Sequence, residues 1–242
     1  AKRKIAAARI PYAVPAPGEL AERVGIVLRV VYLLYAEGHV ASDGEALVRA
    51  ELCDEACRLA RLAAELLPAE AEAHGLLALL RLQDARRPAR VDAAGRLVPL
   101  EEQDRARWDR VAIAQGRAAL ERALALRRPG PFQIQAAIAE LHSQAAAAAD
   151  TDWPQIAALY RALLRHEPTP VVELNAAVAL AMAEGPAAGL EWIASLEQRG
   201  ALAAGHYLPA AKADLLRRSG SPAAAAAAYR VALARVVNPV ER

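Results

Sequence analysis

The sequence predicts an all-α chain of stacked helical hairpins, and three observations carry that prediction. Hydrophobic residues make up 55% of the 242 residues but aromatics only 4%, so the apolar mass is mainly alanine and leucine. Both favour helices, and neither is favoured in strands. Apolar residues recur at helical spacing along most of the chain, and in its last third related positions return every 34 or 35 residues.

The chain begins Ala1-Lys2-Arg3-Lys4-Ile5, and Lys2 to Ala8 reads as the tail of a preceding helix. Pro11, Pro15 and Pro17 cannot continue a helix and favour an extended connector, so residues 1–18 read as helix end and linker. A first helix follows from Glu19, with Leu20, Val24, Val27, Leu28, Val31 and Leu34 on its apolar face and a C-cap near Gly38. A second helix spans about Gly44 to Leu67, closed by Pro68, and a third about Ala71 to Ala85. A turn-rich insertion covers 86–100, then a long helix is expected from about Glu102 to Leu126. Arg128-Pro129-Gly130-Pro131 breaks the chain. The divergent front part is therefore 19–128 and the regular part 129–242.

The regular part shows the period. Ile156, Leu190 and Ala225 are separated by 34 and 35 residues, and Tyr160, Ala194 and Tyr229 repeat the offsets four positions on. Each pair follows a turn, the last two at Gly185-Pro186 and Gly220-Ser221-Pro222. Ala213 supplies a small residue for close approach, and Gly220 ends its helix. This is the phase of a tetratricopeptide repeat, in which one hairpin cannot bury its apolar face alone and so stacks on its neighbours. The expected architecture is a TPR-like helical-hairpin superhelix, an α-α solenoid, with a short β-hairpin-like insertion. In the middle unit Ala194 stands where an aromatic is expected.

Charge and motifs argue against most chemistry. The formal net charge is +2, from 30 basic and 28 acidic residues, which gives no reason to expect a nucleic-acid-binding surface over the whole chain. Cys53 and Cys57 are four apart, where a disulfide within one helix would be strained, so a reducing, cytoplasmic compartment is expected. They share a helix face as metal ligands might, with His74 the one plausible third ligand. A structural zinc site needs four, so the cysteines read as small core residues and no metal is expected. No apolar run is long enough to span a bilayer, and no export signal is visible. The five histidines form no HExxH pattern, and GxSxG, GxGxxG and P-loop motifs are absent, so neither an enzyme nor a cofactor is expected. An enzyme with a helical lid would need Cys53, Cys57 and His74 to converge in a deep cavity. Glu51, Asp54 and Glu55, beside arginines at helical spacing, read as a solvated surface.

Three places are candidates for partner contact. Ala89-Arg90-Val91-Asp92-Ala93-Ala94-Gly95-Arg96-Leu97-Val98 reads as two short strands around a tight turn, with Gly95 supplying a positive φ. The tip residues Asp92, Gly95 and Arg96, with Arg90, are offered as a docking element. The competing reading is a structural clip, with Leu97, Val98 and Leu100 buried and Trp108 anchoring the next helix. Gln103-Asp104-Arg105 with Trp108 forms the second place. The third is the end of the first helix, where Tyr32 and Tyr35 precede Glu37-Gly38-His39 and Tyr35, Glu37 and His39 are the named contacts. Charge reversal at Arg90 and Arg96 is expected to weaken function without unfolding.

The stretch Val27-Leu28-Arg29-Val30-Val31-Tyr32-Leu33-Leu34-Tyr35-Ala36-Glu37-Gly38 resembles the pattern VLxVxYLxFNEGY. That pattern marks the C-terminal, TPR-like extension of a group of bacterial extracytoplasmic-function (ECF) sigma factors. Glu51 to Ala56, Asp84-Ala85-Arg86-Arg87, Ala89-Arg90 through Gly95, Gln103-Asp104-Arg105, Trp108-Asp109, Arg128 to Ala139 and Asp150 to Trp153 resemble the same family in order. Ala36 departs from it, standing where the family has asparagine. The resemblance implies that Ala1 to Ile5 is similar to the end of the promoter-binding helix-turn-helix, with the promoter-reading regions upstream. It implies a regulatory or supporting module of a factor that directs RNA polymerase. The expected partners are the sigma core regions or RNA polymerase, with a separate regulatory protein also open. Promoter DNA would be met only through the upstream regions, and no membrane is expected. The alternative is a free-standing TPR-like adaptor that holds a peptide or protein partner in its concave groove.

Overall fold

A computed structural model describes residues 17–41 and 48–236, with side chains from Arg23 onward. The expected helical tail and most of the linker lie outside the described residues. Ten α-helices follow one another: α1 (Pro17–His39), α2 (Ala50–Leu66), α3 (Ala71–Asp84), α4 (Arg110–Ala125), α5 (Pro131–Gln144), α6 (Trp153–Leu163), α7 (Pro170–Glu184), α8 (Pro186–Gln198), α9 (Tyr207–Arg218) and α10 (Pro222–Arg235). The chain is all-α among the described residues, as its alanine and leucine content predicts.

Local chemistry sets the helix starts. Proline occupies the first turn of α5, α6, α7, α8 and α10, where its missing N–H costs nothing and its fixed φ suits a helix. Asp152 and Thr169 accept backbone N–H groups at the starts of α6 and α7. The helix expected from Glu102 begins instead at Arg110. Asp109 takes the Val111 and Ala112 amides with its carboxylate, and Asp104 does the same for a short 3-10 turn at Arg105–Arg107. Two aspartate caps therefore divide one apolar stretch into a turn and a helix. Similarly, α2 starts at Ala50, later than expected, and residues 42–47 lie outside the described residues.

Each helix packs on the next in sequence, and α1, α3 and α5 also touch one another in order, as do α7 and α9. The core is serial. α1 to α5 share a first cluster around Leu28, Tyr35, Leu76, Leu80, Trp108 and Phe132. Helix α5 turns Phe132, Ala136 and Ala139 to that cluster, while Ile134, Ile138 and Leu141 enter a second with Ile156 and Leu163. Helix α7 does the same one step on, sending Ala179 to the second cluster and Leu174, Ala177 and Ala181 to a third with Ile193, Leu196 and Leu215.

The packing corrects three sequence readings. In α8, Leu190 is half-buried and Ala194 exposed, whereas Gly189, Ile193 and Leu196 are buried. The buried positions Ile156, Gly189 and Ala225 thus stand 33 and then 36 residues apart, and Ile193 fills the place assigned to Ala194. Gly189 is chosen by contact: a Cβ there would sit 2.5 Å from the Ala181 Cβ and 2.6 Å from the Ala177 carbonyl oxygen. Gly38 is likewise no cap. It lies inside α1, and a Cβ on it would meet the Cys53 amide nitrogen at 2.8 Å and Sγ at 2.9 Å, so its bareness lets α2 approach. The buried line of α1 is Leu28, Val31 and Tyr35, and Val27 faces outward, 56% exposed.

Candidate functional site

In the insertion one antiparallel bridge, Val91 with Leu97, takes the place of two strands, and Leu97, Val98 and Leu100 are not buried as a clip would have them, Leu97 being 40% exposed. The Asp92 amide donates to the Arg96 carbonyl and the Val98 amide to the Arg90 carbonyl, with Gly95 at φ +78° in the turn. At its tip Asp92 accepts from the Arg96 side chain at 2.8 Å and from the Ala94 and Arg96 amides, which hold its carboxyl below the usual range. Arg96 is the exposed member, with 79% of its side chain open to solvent.

Most of the other candidate residues turn inward. Arg90 is buried, and its guanidinium donates to the His39 carbonyl at the end of α1, a favourable place for a cation. Reversing its charge would therefore disturb the fold, contrary to the sequence expectation. Arg105 is buried as well, donating to the His142 and Ala145 carbonyls at the end of α5. Its guanidinium carbon lies 4.6 Å from the centre of the Trp108 ring. Trp108 is 2% exposed, and its Nε1 has no hydrogen-bond partner. Gln103 donates to the Val98 carbonyl at 3.1 Å, and Asp104 caps its turn. Tyr35 is buried, stacked on His39 with 5.3 Å between ring centres, its hydroxyl 3.2 Å from Nδ1. Glu37 is partly exposed and 3.9 Å from Arg49.

Two ion-pair groups reach far along the chain. Glu101 pairs with Arg218 at 2.5 Å and Arg217 at 3.9 Å, at the end of α9. At the opposite side, Arg29 of α1 pairs with Glu167, between α6 and α7, at 3.2 Å. A groove runs beside the second pair. A cavity of about 720 Å³ lined by α1, α3, α5, α7 and residues 206–207 adjoins one of about 360 Å³, and Tyr32, Leu33, Gln83, Gln135 and Val171 line both.

The polar residues that the insertion and the helices gather at the centre carry positive charge. Arg86 stands within electrostatic reach of Tyr35, Arg90, Arg105 and Tyr160. Burial holds His142 down to about 4 and His39 to about 2, and nearby guanidiniums add to both, so each ring is neutral at pH 7. Burial pushes Tyr160 up to about 12. The sequence reading named Arg86 only within a segment that carries the resemblance, because its setting depends on α1, α5 and α6 arriving from elsewhere.

Cys53 and Cys57 are buried free thiols, raised by burial to about 11 and about 12. His74 Nε2 donates to the Pro68 carbonyl at 3.0 Å. Among the described residues, no group of three or more His, Cys, Asp or Glu side chains is placed to hold a metal ion, and no helix is long and apolar enough to cross a membrane.

Outside the groove, α1 presents Ile26, Val27 and Val30, and Leu33 at its rim, each more than half exposed, as one stripe along the helix. A contiguous line of large apolar side chains is an interaction-surface feature.

Comparison with known proteins meets the chain at this helix and the ones after it. Residues 23–124, from α1 through α4, match a family of unknown function, DUF6596. The whole chain is also 45% identical over 241 residues to an uncharacterized protein of Rhizobium meliloti (strain 1021). That alignment covers 100% of this chain and 56% of the relative, so the chain spans a little over half the relative's length. No solved structure matches it.

Proposed function

We propose that this chain is the regulatory, protein-binding extension of a bacterial ECF sigma factor, a TPR-like α-α solenoid that acts on promoter-directed initiation by RNA polymerase. One observation carries the protein-binding part: the exposed stripe Ile26, Val27, Val30 and Leu33 on α1. A lone chain gains nothing by leaving four large apolar side chains in a row in water, and covering them with a partner stabilises the complex. The occupant is the apolar face of the sigma core regions. Support for the sigma assignment comes from the segments that carry the resemblance, which supply the seams of this fold. Gly38 meets Cys53, Arg90 meets the His39 carbonyl, the Asp109 amide donates to the Ala85 carbonyl, and Tyr32 packs on Phe132 at 5.6 Å. The relative's greater length also leaves it room for a further domain.

The test has two steps. The reading frame that encodes the chain is expected to specify the −10 and −35 binding regions ahead of residue 1, and a start codon at residue 1 would refute the assignment. In the protein so encoded, Val27→Glu with Val30→Glu is expected to change reporter transcription several-fold while the circular dichroism spectrum stays the same. Unchanged transcription would remove the stripe from the mechanism. The second reading, a free-standing adaptor, is favoured by the groove between α1, α3, α5 and α7. It predicts that the same double variant leaves partner capture intact.

A further inference from the structure

Arg86 is a partly buried cation with no counter-ion among the described residues. Its guanidinium donates to the side-chain amide oxygen of Gln83, its Nε is buried with no partner, and no carboxylate lies within ion-pair distance of it among the described residues. The carboxylates of the surrounding elements are engaged elsewhere. Asp54 and Asp84 hold Arg87 at 2.6 and 2.9 Å, Glu167 holds Arg29, and Asp150 accepts the Ala147 amide. Its charged neighbours are the guanidiniums of Arg90 and Arg105, and the rings of Tyr35, Tyr160 and His142 around it are neutral. Burial and these like charges lower Arg86 to about 10, so it stays protonated at neutral pH with one neutral acceptor. A partly buried charge with a buried, unpartnered Nε favours an anion that completes it.

The location adds the second element. Gln83 lines both parts of the groove, and Tyr35 lines one and Tyr160 the other. The Gln83 oxygen occupies the position a ligand oxygen would take, on a side chain flexible enough to yield. A groove of this volume with aromatic and aliphatic walls and a few convergent polar groups suits a small molecule.

The geometry points to an oxyanion site at Arg86, in which the guanidinium takes the carboxylate or phosphate of a small ligand whose apolar body lies along Tyr32, Leu33 and Val171. The planar fork of arginine matches either group bidentately. Gln83 turns aside to donate or to hold water, and the ligand supplies the missing negative charge. The site stands on either reading of the protein partner, since it uses none of the residues of the α1 stripe except Leu33 at the rim.

The test is calorimetric titration and thermal unfolding of the 242-residue chain at fixed ionic strength. Benzoate and phenyl phosphate are the probes, and acetate and inorganic phosphate are their counterparts without an apolar body. At least one aromatic probe is expected to bind and raise the melting temperature, more than its small counterpart does, and the tighter of the two reports which oxyanion the site takes. Arg86→Gln is expected to weaken that binding at least tenfold, Arg86→Lys to weaken it less, and Arg58→Gln, an exposed arginine on α2, to leave it unchanged. Without ligand, Arg86→Gln should melt no lower than the parent, because it removes an uncompensated charge. Failure of both aromatic probes to bind the parent overturns the site. So does parent-like binding by Arg86→Gln, or a melting temperature for that variant well below the parent's, which would make Arg86 a structural clamp.

Discussion

Glu72 joins the front of the chain to the back, and removing it should show how much that joint contributes. Helix α5 starts after Gly130, which has no side chain with which to cap it. The cap comes from α3: the Glu72 carboxylate accepts the Phe132 amide at 2.9 Å and the Gln133 amide at 3.2 Å, and the Gln133 side-chain amide donates to it at 3.0 Å. The fit leaves no slack, because a Cβ on Gly130 would lie 2.4 Å from the Glu72 carboxyl carbon. Glu72→Ala loses a helix cap, worth about 0.5–2 kcal/mol. It also loses a negative charge at a helix N-terminus, about 0.3–1 kcal/mol. The 2%-exposed Gln133 keeps a bond from its amide to the Arg128 carbonyl but loses the other, at about 1 kcal/mol or more. These terms overlap, and we expect a loss of about 2–4 kcal/mol, which for a chain of this size lowers the melting temperature by on the order of 10 °C. Urea unfolding followed at 222 nm measures it. Glu72→Gln keeps one acceptor oxygen and should lose about half as much. A loss below about 0.5 kcal/mol for Glu72→Ala, the level of an ordinary surface substitution, would refute the capping argument.

The register of α8 makes a paired prediction. Gly189→Ala places a methyl against the Ala181 Cβ and the Ala177 carbonyl and should destabilise by about 1–3 kcal/mol in spite of the better helix propensity. Gly25→Ala meets nothing within 4 Å in an exposed turn of α1 and should stabilise by up to about 1 kcal/mol. Equal effects at the two sites in thermal melts would refute the close approach. Acid sensitivity follows from His142, whose pKa falls to about 4 through burial and then the charges of Arg86 and Arg105. Above about pH 6.5 the histidine is neutral folded and unfolded and contributes nothing to pH dependence. Below it the unfolded chain binds a proton that the folded chain refuses, so stability falls by about 1.4 kcal/mol per pH unit until near pH 4. His39, held lower still, adds a limb of its own, so His142→Gln should cut the slope in urea titrations between pH 6.5 and 4 by about 1.4 kcal/mol per pH unit, and an unchanged slope would show that the ring titrates freely.

Much of the helical content could be read from particular residues. Prolines at 131, 154, 170, 186 and 222 mark helix starts that the structure keeps within a residue, and Gly220 at φ +77° ends α9 as expected. The repeat was legible as a period but not in its register. Leu190, Trp192, Ile193 and Ala194 are all apolar in Gly189-Leu190-Glu191-Trp192-Ile193-Ala194, so composition does not say which face is buried, and the contact of Gly189 with α7 decides it. The division of the expected 102–126 helix had a signal in Asp104 and Asp109, which the sequence reading took as a partner contact and as part of the family resemblance and not as helix caps.

The candidate contacts show the same limit. Arg90, Arg105 and Trp108 stood out because charged and aromatic residues in a turn-rich insertion suggest a partner, but carbonyls at the ends of α1 and α5 claim both arginines. Alanine and leucine content, helical spacing, and proline and glycine punctuation determined by themselves that this chain is a succession of helices, because those are local preferences of the backbone. Tertiary structure alone decided which face of each helix is buried, which arginines are clamps, and that Arg86 meets no carboxylate among the described residues. Those properties belong to pairs of residues on different elements, 37 and 51 positions apart for Arg105 with His142 and Arg90 with His39, and one chain's sequence carries no local term for the distance between them.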